Sequence, residues 1–491
     1  MSYQNIGKTE SVIVSQYGGN FAFGAGDPAA TIEAAWTYLA GLGGGKIKLR
    51  GDGERWTCAK QIDSKGDDVI LEGNGRYGPE LYLADSSDWD VIHVTHDNVI
   101  VQYCHVNGNW EHQTRDAGAS QTATSRGIRF TQSDENVLQN GKVLYNYVED
   151  VAWHGITMNQ CESGLIHGNT VTNIGWNGIF AYRVSPSYGV IMSNNDVSHC
   201  GDVGMGMYGS RCQVVNNYIH DIDGTHGSGN TQWGAGIEGG DWNIIKDNVI
   251  DDVLIGIGTG FIADEDPQYW QIIGNTISGL TNASTGGHGL FIKARNGVVK
   301  NNTICDLPDW GLGGVYNSGI MVDDGANHVR LEGNTFSGAT GYHGITIYAE
   351  NDIWMGTNLF LDNPEYAIKL RQACERLQIV GNTIYDGTYF VGHDNASPDV
   401  DTVTDAFISG NFVYNVGTGV ELQDSVDAHI TNNVFRDCTI GVEISDAGAI
   451  RTVLSENDFF GCGTAASVAG ATDPRYGYNK NAAGAWAVGA P

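Results

Sequence analysis

The sequence predicts an all-β fold: a single right-handed parallel β-helix solenoid with a short N-terminal helix cap. Three observations carry that expectation. A Gly-aliphatic-x-aliphatic phrase recurs, as in Gly155-Ile156-Thr157-Met158, Gly289-Leu290-Phe291-Ile292, Gly319-Ile320-Met321-Val322 and Gly441-Val442-Glu443-Ile444. An Asn-x-aliphatic phrase recurs beside it, at Asn146, Asn169, Asn195, Asn217, Asn248, Asn275, Asn302, Asn334, Asn358, Asn382, Asn411, Asn433 and Asn457, with intervals of 22 to 32 residues. Between these positions apolar residues alternate over short runs bounded by Gly, Asn and Asp, which is strand periodicity with turns and not the i, i+3, i+4 spacing of a helical repeat. A strand this short cannot bury its apolar side alone. Stacked about 4.8 Å from its counterpart in the next coil, it can.

The elements follow in order. Residues 1–22 form an N-terminal arm, open to reading as an attachment segment. Residues 23–66 form the cap and first strands: an amphipathic helix over 29–40, the Gly43-Gly44-Gly45 turn, and a strand over Lys46–Leu49. Coils of about 26 residues fill 67–465, within the 20–50 range of repeat architectures, and 466–491 is an Ala/Gly-rich tail. The ladder asparagines are expected to be scaffold, because Asn tolerates the left-handed turn and stacked amides hydrogen-bond along the column. The coil-opening glycines are expected to be turn residues with permissive backbone angles. Insertions at 105–126, 221–235, 261–270, 280–288, 306–318 and 393–402 carry Trp110, Trp233, Trp270 and Trp310, whose rings suit sugar faces or fold back over their own loops.

The helix, the triple-glycine turn, the phrase Leu71-Glu72-Gly73-Asn74-Gly75 and the asparagine ladder together resemble the pectate-lyase-like superfamily over about residues 25–465. That group includes pectate lyases, polygalacturonases, alginate epimerases and many viral tailspikes. The resemblance implies the fold, and a groove that meets a polysaccharide. The Asp-Pro-His-Glu motif of alginate epimerases and the clustered calcium-binding aspartates of pectate lyases are both missing.

Composition narrows the partners. The net charge is −31, from 57 acidic and 26 basic residues, of which only 11 are Lys. Such a surface repels nucleic acid and anionic membranes. Scarce Lys beside abundant Asp suggests adaptation to high salt, which screens the self-repulsion. No segment has the run of apolar residues a membrane span needs, and the arm itself shows no charged-then-apolar signal pattern. Nine cysteines without a Cys-x-x-Cys pair indicate neither zinc nor a disulfide framework.

In each glycine phrase the aliphatics point inward, so the third and fifth positions point outward. Read along the coils, these positions and their neighbours gather Tyr182, Arg183, Tyr208, Glu238, Asp241, Lys293, Arg295, Asp323, Asp324, Tyr348, Glu350, Lys369 and Arg371. Tyrosines, scarce basic residues and carboxylates suit an acidic or neutral glycan, with Arg and Lys meeting carboxylates or hydroxyls; the plainer alternative is a set of cross-strand salt bridges and stacking pairs. Lys293, Asp323 and Asp324 are the catalytic candidates, and the others are ligand-binding candidates. His154, His288 and His343 each precede a coil-opening glycine and are explained by alignment in one corner. The first functional expectation is a virion or surface appendage, of tail, spike or capsid-surface type, that grips a host glycan in a halophilic setting. The alternative is a polysaccharide lyase, C5-epimerase or glycoside hydrolase working in the same groove. No metal or cofactor is indicated, and a structural or catalytic divalent cation stays an open alternative, as does a homotrimer or attachment to a larger assembly. A virion or extracellular surface is the expected location.

Overall fold

The computed structural model describes residues 10–113, 125–131, 137–182, 188–222, 224, 234–240, 242–260, 268–280, 287–307, 318–323, 325–339, 341–348, 350–362, 364–393, 402–445, 449–468, 472, 474–477 and 479–481. The chain divides into two compact units, Met1–Val253 and Leu254–Pro491. Each is a stack of parallel coils.

The N-terminal unit opens with two strands, Ser11–Ser15 and Phe21–Ala22, which pair with each other. The first also pairs in parallel with Gly45–Leu49, so this part of the expected arm belongs to the sheet. An α-helix, Pro28–Gly41, follows. Asp27 caps it, its Oδ1 accepting from the Ala29 N–H at 3.1 Å, and proline sits in the first turn, where its missing N–H costs nothing. Gly43 ends it at φ 82°, its N–H donating to Ala40 O at 3.0 Å, and the Gly44 N–H donates to Leu39 O at 2.9 Å. Ile32, Ala35, Trp36 and Leu39 are fully buried. The Trp36 indole donates to Gly66 O at 3.1 Å, so the helix is fastened to the unit. No described helix is long and apolar enough to cross a membrane.

A representative coil runs from a strand at Leu165–His167, through Gly168, to the ladder residue Asn169. It continues through a strand at Thr170–Ile174 and closes with the glycine-phrase strand Ile179–Tyr182. Ile166 pairs with Val143 on one side and Met192 on the other, and Val171 pairs with Val148 and Val197. All are buried, so like apolar residues stack on like and form a continuous core.

The asparagine column is as regular as the spacing suggested. In the N-terminal unit the Asn146 N–H and Nδ2 both donate to Asn169 Oδ1 (2.9 and 3.0 Å), and Asn169 does the same to Asn195. In the C-terminal unit the column runs from Asn275 and does not stop at Asn457, whose N–H donates to Asn479 Oδ1 at 3.0 Å.

The left-handed turn lies elsewhere than expected. No ladder asparagine has positive φ. The residue before each one does: Tyr145, Gly168, Asn194, Asn216 and Asp247 in the first unit, and Gly274, Asn301, Gly333, Thr357, Gly381, Gly410, Asn432 and Glu456 in the second. The preceding residue turns the chain, which frees the ladder side chain to point into the interior. A second left-handed residue follows four positions after many of them, at Asp150, Asn173, His199, Asp221 and Asp252, and bends the coil before its glycine phrase.

The coil-opening glycines are corrected in the same way. Gly155, Gly178, Gly204, Gly289, Gly319 and Gly441 lie outside the positive-φ region. They are required by space: a Cβ on Gly155 would meet Gly178 O at 2.6 Å and Val171 Cγ1 at 2.5 Å.

Candidate functional site

In the N-terminal unit the glycine-phrase strands hold Ile156 and Met158, Ile179 and Ala181, and Met205 and Met207 inside. The alternate positions form outward columns. One runs Asp63, His93, Arg129, Thr157, Phe180, Gly206, Glu238 in direct register. A second places Asn159 beside Tyr182.

These columns are outward in parity yet largely covered. Thr157, Asn159, Glu238 and the adjoining Asn177 are each at least nine-tenths buried. Thr157 Oγ1, Asn159 Oδ1 and Asn177 Oδ1 have no hydrogen-bond partner among the described residues. A buried polar atom without a partner is costly, so a patch that holds three of them suits a hydroxyl-bearing occupant.

Aromatic rings flank this patch. His154 stacks on Phe180 at 4.9 Å and 8°, and Phe180 stacks on Tyr182 at 5.5 Å and 19°. Tyr208 meets Phe180 edge-on at 5.0 Å. Gly206, in register with Phe180, makes room for that ring, since a Cβ there would lie 2.6 Å from Phe180 Cδ2. Tyr182 keeps 41% of its surface exposed, so the platform has an open end.

The Tyr208 hydroxyl donates to Glu238 Oε2. Burial pushes the Glu238 carboxyl up from 4.5 to about 7, although the Tyr208 hydrogen bond acts in the opposite direction. Burial and the neighbouring Glu238 carboxylate push the Tyr208 phenol far above its ordinary value. The folded protein therefore holds a proton on Glu238 that the unfolded chain has already released above pH 4.5. Stability from this site is present below that value and is lost as pH rises to about 7. Glu238→Gln is expected to flatten the pH dependence of the urea midpoint across that window, removing a slope worth roughly 3 kcal/mol. An unaltered slope would show that the carboxyl does not titrate there.

Sequence reasoning missed the upstream end of this face. Asp90 is buried between Arg126 (3.5 Å) and Arg129 (3.2 Å), and His93 Nδ1 lies 3.1 Å from Asp63 Oδ1. The signal was present, because Arg126-Gly127-Ile128-Arg129-Phe130 is the same glycine phrase one coil earlier and carries two arginines.

In the C-terminal unit the third-position column runs Gly258, Phe291, Met321, Thr346, Lys369, Gly392. Lys293 and Asp323 meet across one coil at 3.8 Å, with Lys293 exposed. Arg295 Nε donates to Gly325 O at 3.3 Å. Arg371 lies over the Tyr348 ring at 5.6 Å, and Gln372 donates to the Tyr348 hydroxyl at 2.5 Å. Lys369 is buried, with its ammonium 5.1 Å from the Tyr366 ring centre. The structure thus brings Lys293 to Asp323 and Tyr348 to Arg371. It takes Glu350 out of the outward strip: that carboxylate is buried and accepts the Ala326 N–H at 3.0 Å, which anchors a turn. Arg183, Asp241 and Asp324 lie outside the described residues, as do Trp233 and Trp310, while Trp270 is buried.

Of the corner histidines, His343 Nε2 meets Glu365 at 3.0 Å. Burial pulls His288 down to about 3 and, elsewhere in this unit, His393 down to about 4, so both rings stay neutral. Glu80, His105 and Glu149 bring ligand atoms within 4.8 Å of one another. Glu80 is already held by Arg55 at 2.7 Å and Asn107 at 3.0 Å, and His105 by Glu149 at 2.8 Å, so the cluster is satisfied as an ion-pair network.

The family described as "Right handed beta helix region" matches residues 154–304, 233–402 and 288–480, together more than half of the chain. No curated protein sequence matches it. Among solved structures, the A-module of the mannuronan C-5 epimerase AlgE6 of Azotobacter vinelandii is similar at 15% identity and TM-score 0.53, covering 79% of this chain and 95% of the module. The N-terminal fragment of gene product 12 of bacteriophage Phi29 is similar at 11% identity and TM-score 0.55, covering 92% of this chain and 91% of the fragment. With its stacked parallel coils and its register, the chain belongs to the right-handed β-helix family.

Proposed function

We propose that this protein binds a glycan on the outward face of its glycine-phrase sheet, as a surface or virion appendage. The observation that carries the reading is the N-terminal patch in which Thr157, Asn159 and Asn177, whose oxygens have no hydrogen-bond partner among the described residues, lie in the same coil as the Phe180–Tyr182 stack and in the coil before it. A sugar ring offers both complements, hydroxyls for the oxygens and C–H faces for the rings. In the C-terminal unit the Arg371–Tyr348 pair and exposed Lys293 would meet carboxylates or hydroxyls in the same manner. The fold is shared with a bacteriophage gene product and with a mannuronan C-5 epimerase module, and a shared fold hosts more than one kind of function.

A second reading, catalysis on a polysaccharide, is favoured by the Tyr208–Glu238 pair. A carboxyl poised near neutral pH beside a phenol is suited to proton transfer. Adaptation to high salt belongs to the proposal as well, on the strength of the −31 net charge.

Affinity electrophoresis against polymannuronate, polygalacturonate and a neutral galactan, at low and molar salt, tests the reading. The protein is expected to be retarded by at least one polymer. Tyr182→Ala and Arg371→Ala should each weaken retardation about tenfold, the effect of losing one ring or charged contact, while Glu443→Ala should leave it unchanged. Equal retardation of all three variants would overturn the placement. Unsaturated products or new reducing ends in the same mixtures would move the assignment to the second reading. A fold no more stable in molar salt would remove the halophilic part.

A further inference from the structure

Cys438 and Cys462 stand in register one coil apart at the corner before the glycine phrase of the C-terminal unit. The register is fixed on both sides of them. Arg436 pairs with Phe460, Ile440 pairs with Thr464, and the Gly463 N–H donates to Cys438 O at 3.0 Å. Neighbouring strands of a sheet lie about 4.8 Å apart, inside the range of Cα separations that a disulfide spans. The side chains lean the same way: Cys438 Sγ lies 3.8 Å from Val413 O, and Cys462 Sγ lies 3.4 Å from Phe435 O, each reaching back toward the preceding coil. Cys438 is buried, whereas Cys462 is partly exposed. Neither lies in a strand, so the corner backbone can adjust where a ladder position could not.

We propose that Cys438 and Cys462 form a reversible disulfide that staples two successive coils. The neighbouring Cys438 thiol draws the Cys462 thiol down despite its partial burial, so the reachable sulfur is also the more acidic of the two. The oxidant is a small-molecule disulfide. The Cys462 thiolate attacks one of its sulfurs, breaking that S–S bond and releasing one thiolate. Cys438 then loses its proton to solvent and attacks Cys462 Sγ, expelling the second thiolate. Two electrons pass to the small molecule, and the two protons end on its two thiols. The fully buried Cys58, Cys104, Cys161 and Cys200 have no such access, and burial pushes their thiols up.

The test is incubation of the full chain with oxidised glutathione at neutral pH, followed by acid quench, thiol titration in denaturant and peptide mapping. Two of the nine thiols should disappear, the mass should fall by two hydrogens, and one peptide pair should join residues 438 and 462. Cys438→Ala should instead stop at a glutathione adduct on Cys462, and Cys462→Ser should lose no thiol at this corner. A persistent glutathione adduct on Cys462 of the unaltered protein would overturn the proposal by showing that the pair cannot close. Retention of all nine thiols would overturn it equally.

Discussion

Asn334→Ala is expected to lower the unfolding free energy of the C-terminal unit by roughly 4 kcal/mol, from the sum of buried groups left without partners at about 1–3 kcal/mol each. Asn334 is fully buried and serves three coils at once. Its Oδ1 accepts the N–H and the Nδ2 of Asn302, both at 3.0 Å. Its own Nδ2 donates to Val299 O at 3.1 Å and to Asn358 Oδ1 at 3.0 Å. Alanine strands the Asn302 donors and the Val299 carbonyl in a fully buried interior. Asn301→Gly is the control: it keeps the left-handed turn at φ 55° and should change stability little. Guanidinium titration measures both, and hydrogen exchange should show lost protection at Asn302 first. Matching midpoints for the alanine variant and the parent would mean that the column is ornament.

Gly289→Val should be comparably severe, about 3–4 kcal/mol, toward the upper end of what overpacking costs. Already the first added carbon would sit 2.6 Å from Gly319 O and 2.6 Å from Ile304 Cγ2. The first is backbone of the next coil and cannot rotate away, so the coils must separate or shear. Gly41→Ala, where an added Cβ meets nothing within 4 Å, should be harmless. A thermal scan of both variants decides the matter, and tolerance of valine at 289 would mean the coil spacing is far softer than the register indicates.

Much of this was legible in the residues. Period-two alternation fixes which side chains enter the core, and stacking fixes like against like, so the ladder and its inward neighbours could be written down in advance. Parity does not say what covers an outward face. Thr157 and Glu238 point out by count and are nonetheless buried, and Glu350 leaves the strip altogether to hold a turn. Spacing alone also could not tell a residue that turns the chain from the one behind it. Asn is frequent at both, so the left-handed role passed unnoticed from Asn194 to Asn195 and from Asn432 to Asn433. The Asp90–Arg126–Arg129 group was hidden by the long insertion before it, which broke the interval just where the phrase first appears.

The amide column has one consequence beyond holding coils at a fixed distance. From Asn275 to Asn302, and from Asn302 to Asn334, Asn358 and onward to Asn479, each donor looks toward the C-terminal side and each acceptor toward the N-terminal side. The side-chain dipoles therefore add, as peptide dipoles do in a helix, and each bond polarises the next. A coil in the middle gains from neighbours in both directions, while a terminal coil gains from one. Resistance to unravelling should thus rise with the number of coils faster than a simple sum, and among the described residues Asn479 stands at the end of the column and gains from one side only.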